Sequence, residues 1–228
     1  MINGYKDLSL IDYPGLIAPV VFVGGCNFRC PFCHNADLVL HPGLAEEFSI
    51  DTILKRIEKA KSLCDGVVIT GGEPALWPEL EDFIRQIRRL GLKVKLDTNG
   101  SLPDVLERLN HQGLIDYVAM DIKTALHRYR EATGVKADVS AIQKSITLLQ
   151  NSNVSHEFRT TCVPSLVSAD EILSICRLVG TNEKLILQQY RPVNTIDPAY
   201  TLIQPYSEAE MEKLLSIAIE QGVDGKIT

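Results

Sequence analysis

Residues 66–100, GVVITGGEPALWPELEDFIRQIRRLGLKVKLDTNG, hold a complete strand–helix–strand unit, and its reading decides the fold. Gly66 to Thr70 and Lys93 to Asp97 are short runs rich in β-branched and apolar residues. Between them Leu80, Phe83, Ile84, Ile87 and Leu90 recur at helical spacing, after Pro78 and before Gly91. A helix placed between two such strands is the crossover that parallel strands require.

The same alternation runs outward from this unit. Further strands are expected at Pro19 to Gly24, Ile115 to Asp121, His156 to Cys162 and Lys184 to Tyr190. Ile50, Ile53, Leu54, Ile57 and Cys64 mark another helix stripe. Ser168 with Glu171, and Ser207 with Glu210, stand at capping-box spacing before apolar stripes. Six strands joined by right-handed crossovers predict an α/β fold, an incomplete parallel (β/α)6 barrel. A single domain over 1–228 is expected, with a core at 16–195, a substrate-side segment at 1–15 and a C-terminal helix at 207–221. In such folds chemistry gathers at the carboxyl ends of the strands.

A net charge of −6 argues against a broad electrostatic footprint for nucleic acid, and RIEKAK and Arg85, Arg88 and Arg89 read as solvated helix faces. No apolar run has the length of a membrane span and no leader pattern opens the chain, so a soluble, cytoplasmic protein is expected. Three of the six cysteines crowd together, while Cys64, Cys162 and Cys176 stand alone in apolar segments. This pattern suits one metal site in a reducing compartment rather than a disulfide framework.

The crowded three lie directly after the first expected strand, in Gly24-Gly25-Cys26-Asn27-Phe28-Arg29-Cys30-Pro31-Phe32-Cys33-His34-Asn35. Three soft thiolates suit an iron–sulfur cluster or zinc, and spacing alone leaves both open. A closed zinc site needs a fourth ligand, from His34 or Cys64. An iron–sulfur cube can instead leave one iron free of protein ligands. The aromatic before the third cysteine, in C-x-x-x-C-x-F-C, makes the chain resemble the radical S-adenosylmethionine (SAM) superfamily. That resemblance implies a [4Fe-4S] cluster on Cys26, Cys30 and Cys33, SAM on the fourth iron, and Phe32 beside the adenine, with Asn35 contributing to the cofactor site.

Gly71-Gly72-Glu73-Pro74 is a tight turn by its residues and, one strand after the cysteines, resembles the segment that binds the methionyl part of SAM, which implicates Gly71, Gly72 and Glu73. Turn chemistry accounts for Asn99-Gly100 but not for Asp121 and Lys123, a pair matched to an amino-acid zwitterion. Asp-Ile-Lys at 121–123 resembles the D-x-K motif of glycyl radical enzyme activating enzymes. By that resemblance Asp97, Thr98, Asp121 and the Ala119 carbonyl would bind Na+ or K+, and Lys123 would serve catalysis. Arg159 reads equally as a salt-bridge partner or a SAM contact, and Tyr190 or Arg191 is offered for the adenosine.

Ser9-Leu10-Ile11-Asp12-Tyr13-Pro14-Gly15 is a Pro-Gly turn that also resembles a segment of the activating enzymes, where Asp12 would lie near the partner's glycine and take part in catalysis. The resemblance runs from near residue 7 to at least 195 and is nearest to the activating proteins of anaerobic ribonucleoside-triphosphate reductases. It implies a glycyl radical enzyme as partner and a flavodoxin or ferredoxin as electron donor. Two rival readings stay open: a radical SAM enzyme of a small metabolite, favoured by a pocket lined with several charges, and a zinc-binding interaction module.

Overall fold

The computed structural model describes residues 1–44 and 46–228. Its strands and helices follow in the order β1 (Ile2–Ser9), β2 (Ala18–Val23), α1 (Ala36–Leu40), α2 (Ile50–Ala60), β3 (Gly66–Gly71), α3 (Leu80–Arg89), β4 (Lys93–Thr98) and α4 (Pro103–His111). Then come β5 (Tyr117–Asp121), α5 (Tyr129–Thr133), α6 (Val139–Gln150), β6 (Ser155–Cys162), α7 (Ala169–Val179), β7 (Lys184–Gln189), α8 (Glu208–Glu220) and β8 (Asp224–Ile227). The strands form one eight-stranded sheet in sequence order. β2 through β8 are parallel, and β1 alone runs antiparallel, from Ile2 beside Val23 to Ser9 beside Ala18.

All six expected strands are present, and two more flank them. β1 escapes the sequence reading because Asn3, Gly4, Lys6 and Asp7 interrupt it, and β8 because it consists of Asp-Gly-Lys-Ile; both rely on sheet pairing more than on strand propensity. The segment 1–15 set apart in sequence therefore begins as an edge strand, and the chain continues past its C-terminal helix into the opposite edge. Ser168 and Ser207 form the expected capping boxes with Glu171 and Glu210. α2 ends at Ala60, so Cys64 packs in the turn before β3 rather than on the helix.

The large apolar core lies between the sheet and its helices. It takes Val21, Val67, Ile69, Val94, Leu96, Val118, Phe158, Leu185 and Leu187 from the strands and Ile53, Ile57, Phe83, Ile84, Ile142, Ile146, Ile172 and Ile175 from the helices. The alternate residues face inward. There Tyr13, Ala18, Val20, Val68 and Tyr117 make a small apolar plug, with the Tyr13 and Tyr117 rings 5.9 Å apart. The rest of the interior is a cavity of about 750 Å³, lined by Lys95, Glu157, Arg159, Ile186 and Gln188. Leu10–Gly15 and the β8 residues Asp224 and Lys226 line it too, so the sheet curls until its two edges face one lumen.

Candidate active site

The three cysteines fall at the carboxyl end of β2 and line a cavity of about 240 Å³ with Asn35, Gly71, Gly72, Asp97, Thr98, Asp121, Lys123 and Arg159. Backbone contacts fix their loop: Gly25 N–H donates to the Leu38 carbonyl at 2.8 Å, Arg29 N–H to the Thr133 carbonyl at 2.7 Å, and Cys33 N–H to the Cys30 carbonyl at 3.0 Å. Asn99 Nδ2 reaches Cys26 Sγ at 3.7 Å, and Phe28 N–H reaches the same sulfur at 3.4 Å. Burial pushes the Cys30 thiol up to about 12 against the pull of the Lys123 ammonium, and raises Cys26 and Cys33 as well. Thiols this reluctant to ionise bind metal with release of their protons.

The second loop is locked onto the first. Gly72 N–H donates to the Val23 carbonyl at 2.7 Å and Glu73 N–H to the Gly25 carbonyl at 2.8 Å. A Cβ on Gly72 would run into the Gly25 carbonyl, and Gly71 sits at φ +120 against the Val23 backbone, so both positions demand glycine. Asn35 Nδ2 donates to the Gly71 carbonyl at 2.9 Å. Glu73 is buried and turned into the protein. Its carboxylate accepts from Ala75 N–H at 3.0 Å, Thr98 Oγ at 2.8 Å and Asn99 N–H at 2.6 Å, which ties the end of β3 to the end of β4. Burial, opposed by those hydrogen bonds, lifts its pKa to about 7.

Across the cavity stands a ladder of alternating charge. Lys95 Nζ pairs with Asp97; Arg159 joins Asp97 at 3.1 Å and Asp121 at 2.8 Å; Lys123 Nζ meets Asp121 at 2.9 Å. Register brings them together, with Asp97 beside Ala119 and Asp121 beside Arg159. Burial opposes the charges of Asp121, Lys123 and Arg159, yet Arg159 and Lys123 outweigh it and hold the Asp121 carboxyl below its usual range. Asp121 in turn holds Lys123 and Arg159 above theirs. Of the two readings of Arg159, the salt bridge is the one the structure displays.

Several expected residues stand elsewhere. Phe32 does not line the cavity; it is buried, its ring 6.5 Å from that of Tyr200. Tyr190 is buried as well, its hydroxyl donating to the Tyr200 carbonyl at 2.7 Å, because β7 ends at Gln189 and the next residue turns into the core. Arg191 is exposed and lines neither the cysteine cavity nor the lumen; Gln188, which the sequence reading passed over, lines both. Asp12 accepts from Ser9 Oγ at 2.5 Å and Lys6 Nζ at 3.3 Å, at the amino end of the strands and so opposite the cysteines. Lys95 was also missed, although its place two residues before Asp97 on one strand puts both on the inward face. Thr98 donates to Glu73 and the two aspartates face Lys95, Arg159 and Lys123, so the side-chain oxygens proposed for an alkali ion already have partners.

Among the described residues no three His, Cys, Asp or Glu side chains gather tightly enough to hold one metal ion. The thiols instead line a wall, facing charged groups suited to a zwitterion. The profile of the family described as the Radical SAM superfamily matches residues 20–179. The chain belongs to that superfamily. Its cofactors follow from the family: a [4Fe-4S] cluster and SAM, which the three thiols and the facing ladder fit in donor type.

A Methanocaldococcus jannaschii protein provisionally named a glycyl-radical enzyme activating enzyme is 34% identical over 223 residues, covering 96% of this chain and 91% of its own length. The pyruvate formate-lyase-activating enzyme of Clostridium pasteurianum is 30% identical over 200 residues, covering 83% and 81%. These relatives place the chain among the glycyl-radical activating enzymes of the superfamily. In fold it is similar to SuiB of Streptococcus suis, with a TM-score of 0.65 at 16% identity over 92% of this chain and 48% of that one. No helix among the described residues is long and apolar enough to cross a membrane.

Proposed function

We propose that this radical SAM protein installs a glycyl radical on a partner enzyme. The observation that carries the reading is one cavity with the thiols of Cys26, Cys30 and Cys33 on one wall and the Lys123–Asp121–Arg159–Asp97 ladder on the other. When bound, the cluster and SAM would supply a 5′-deoxyadenosyl radical as the acceptor of a hydrogen atom from a glycine α-carbon of the partner.

The protein's own residues hold and orient. Lys123 would donate to the methionyl carboxylate and Asp121 would accept from the ammonium, each exchanging part of their mutual ion pair for the ligand. Arg159 positions Asp121 and Asp97. Gly71 and Gly72 let the backbone approach the ligand, Asn35 holds that backbone, and Glu73 acts as a positioning residue rather than a contact. Lys95 supplies the positive charge beside Asp97 in place of an alkali ion, so SAM cleavage should be indifferent to exchange of sodium for potassium. Asp12, at the mouth of the lumen, lies where a loop of the partner would approach.

The partner is a glycyl radical enzyme. The ribonucleotide reductase expected from sequence and the pyruvate formate-lyase suggested by the relatives' names are its two candidate targets, with a flavodoxin or ferredoxin as donor. The test is anaerobic reconstitution and dithionite reduction with SAM, first alone and then with each candidate protein. The expected result is 5′-deoxyadenosine together with a glycyl doublet in electron spin resonance on one of them. Absence of 5′-deoxyadenosine under every condition overturns the reading.

One observation favours a second reading. The lumen carries Lys95, Glu157, Arg159, Lys184, Asp224 and Lys226, a charged lining suited to a small polar substrate. If 5′-deoxyadenosine formation is stimulated by the low-mass fraction of a cell extract and by neither protein, this second reading replaces the first.

A further inference from the structure

Generating the radical consumes one electron per SAM, and that electron must enter from a donor outside the chain. Tunnelling weakens exponentially with distance, so a donor must dock on the face nearest the thiols. That face is the outer surface of the Cys26–Cys33 loop and the segment packed against it. Arg29 is exposed there, with its guanidinium donating to the Cys26 carbonyl at 2.6 Å and the Phe28 carbonyl at 2.8 Å. Its backbone N–H is bonded to Thr133 at the end of α5, and Gly134, at φ +67, leaves no room for a Cβ against the Arg29 carbonyl.

The docked segment carries two more exposed cations, Arg130 one turn before Gly134 and Lys136 two residues after it. Among the described residues, none of Arg29, Arg130 and Lys136 has an acidic group within 4.0 Å, while neighbouring Arg128 is held by Glu131 and Glu171. The chain as a whole carries −6, so three unneutralised cations on one small face are a local reversal of its field. Two further helices carry cations: on α3 Arg85 is paired with Glu81 at 2.9 Å and Arg88 with Asp116 at 2.5 Å, and at α2, which packs against β1 and α3, Lys61 is paired with Glu58 at 3.9 Å while Lys55 and Lys59 have no acidic group within 4.0 Å among the described residues. Arg88 also lies at the amino end of β5, opposite the thiols.

We infer that the Arg29–Arg130–Lys136 face docks an acidic one-electron carrier protein. This rests on the radical SAM reading of the same site. The step is a single electron leaving the carrier's prosthetic group and entering the cluster held by Cys26, Cys30 and Cys33; no bond is made or broken. Arg29 ties the docked surface through its hydrogen bonds to the backbone of the Cys26 ligand.

The experiment compares the reconstituted wild type with the double variant Arg130→Glu/Lys136→Glu, which spares Arg29 and the loop. A Lys55→Glu/Lys59→Glu variant on α2 is the control. The probe is an acidic flavodoxin, oxidised for calorimetric titration and fully reduced for stopped-flow bleaching of the cluster absorbance. The double variant should bind oxidised flavodoxin more weakly and lose on the order of tenfold in the bimolecular reduction rate at low salt, with a flattened dependence on ionic strength. Its iron content and dithionite-driven bleaching should match the wild type, and the control should behave as wild type. Equal flavodoxin kinetics in the wild type and the double variant, or a loss confined to the control, overturns the docking face. Failure of dithionite-reduced wild type to make 5′-deoxyadenosine overturns the radical SAM reading instead, and the two failures are read on different samples.

Discussion

The thiol wall of the cavity is a single loop, Cys26 to Cys33, whereas the wall facing it is assembled from the ends of β4, β5 and β6 and exists only once those strands are in register. The first is held by its own backbone contacts and projects ligands. The second is a set of buried charges that hold one another. Damage to the two walls should therefore differ in kind: loss of a thiol removes a function from a folded protein, while loss of a ladder rung threatens the fold itself.

The largest effect expected is on the thiol wall. Cys26→Ala, Cys30→Ala and Cys33→Ala should each abolish the stable [4Fe-4S] cluster, read as loss of bound iron and of charge-transfer absorbance after anaerobic reconstitution, while far-ultraviolet circular dichroism stays native. Retention of a full cluster by any one variant would remove that cysteine from the ligand set. On the opposite wall, Arg159→Met leaves Asp97 and Asp121 without the guanidinium that bridges them. Asp97 keeps Lys95 and Asp121 keeps Lys123, but each loses a charge-assisted hydrogen bond, so chemical denaturation of the apoprotein should show a loss of about 1.5–3 kcal/mol. A loss no larger than that of a surface substitution would mean the ladder is not a structural unit.

The same contrast explains what could be read from the chain. The thiol wall was legible because its three ligands lie within eight residues of one loop and the backbone places them together. The parallel strands were legible from runs rich in β-branched and apolar residues, although that reading overlooked their inward faces, where Lys95, Glu157, Arg159 and Gln188 alternate with core residues. Lys95 looked like a surface lysine and proved 2% exposed; Asp97, two residues on, shares its face, but only register reveals the Tyr117 ring, 6.0 Å from its ammonium. Tyr190 failed in the opposite direction: its parity pointed inward, but the strand had already ended. Phe32 failed because the aromatic before a ligand cysteine can serve packing as readily as a ligand.

Glu73 sits between the two walls and sharpens the comparison, because it is bonded to both strand ends yet touches neither a thiol nor the ladder. The folded state keeps a proton on it up to about pH 7, while the unfolded chain releases that proton near 4.5. Unfolding free energy should accordingly fall as pH rises through this window, by at most roughly 1.4 kcal/mol per pH unit, and level off above it. Glu73→Gln removes that slope. It also replaces one acceptor oxygen with a donor among three donors, at about 1–3 kcal/mol. Denaturation of both proteins at intervals from pH 5 to 8 isolates the difference; parallel curves would show that Glu73 titrates as an ordinary carboxylate.

The smallest effect tests whether burial alone makes a cysteine part of the site. Cys162 is more deeply buried than Cys30, and burial pushes both thiols up to about 12, so by solvent access and acidity the two look alike. They differ in what they face. Cys30 lines the cavity across from Lys123, whereas Cys162 lies in the apolar layer beneath the helices, its thiol 3.8 Å from the Thr160 carbonyl. Cys162→Ala should therefore leave iron content and cluster absorbance unchanged and cost only the packing of one sulfur, about 1 kcal/mol in denaturant unfolding. If that variant lost cluster instead, the division of the cysteines by the face they occupy would fail, and burial would have to be counted as part of the ligand environment.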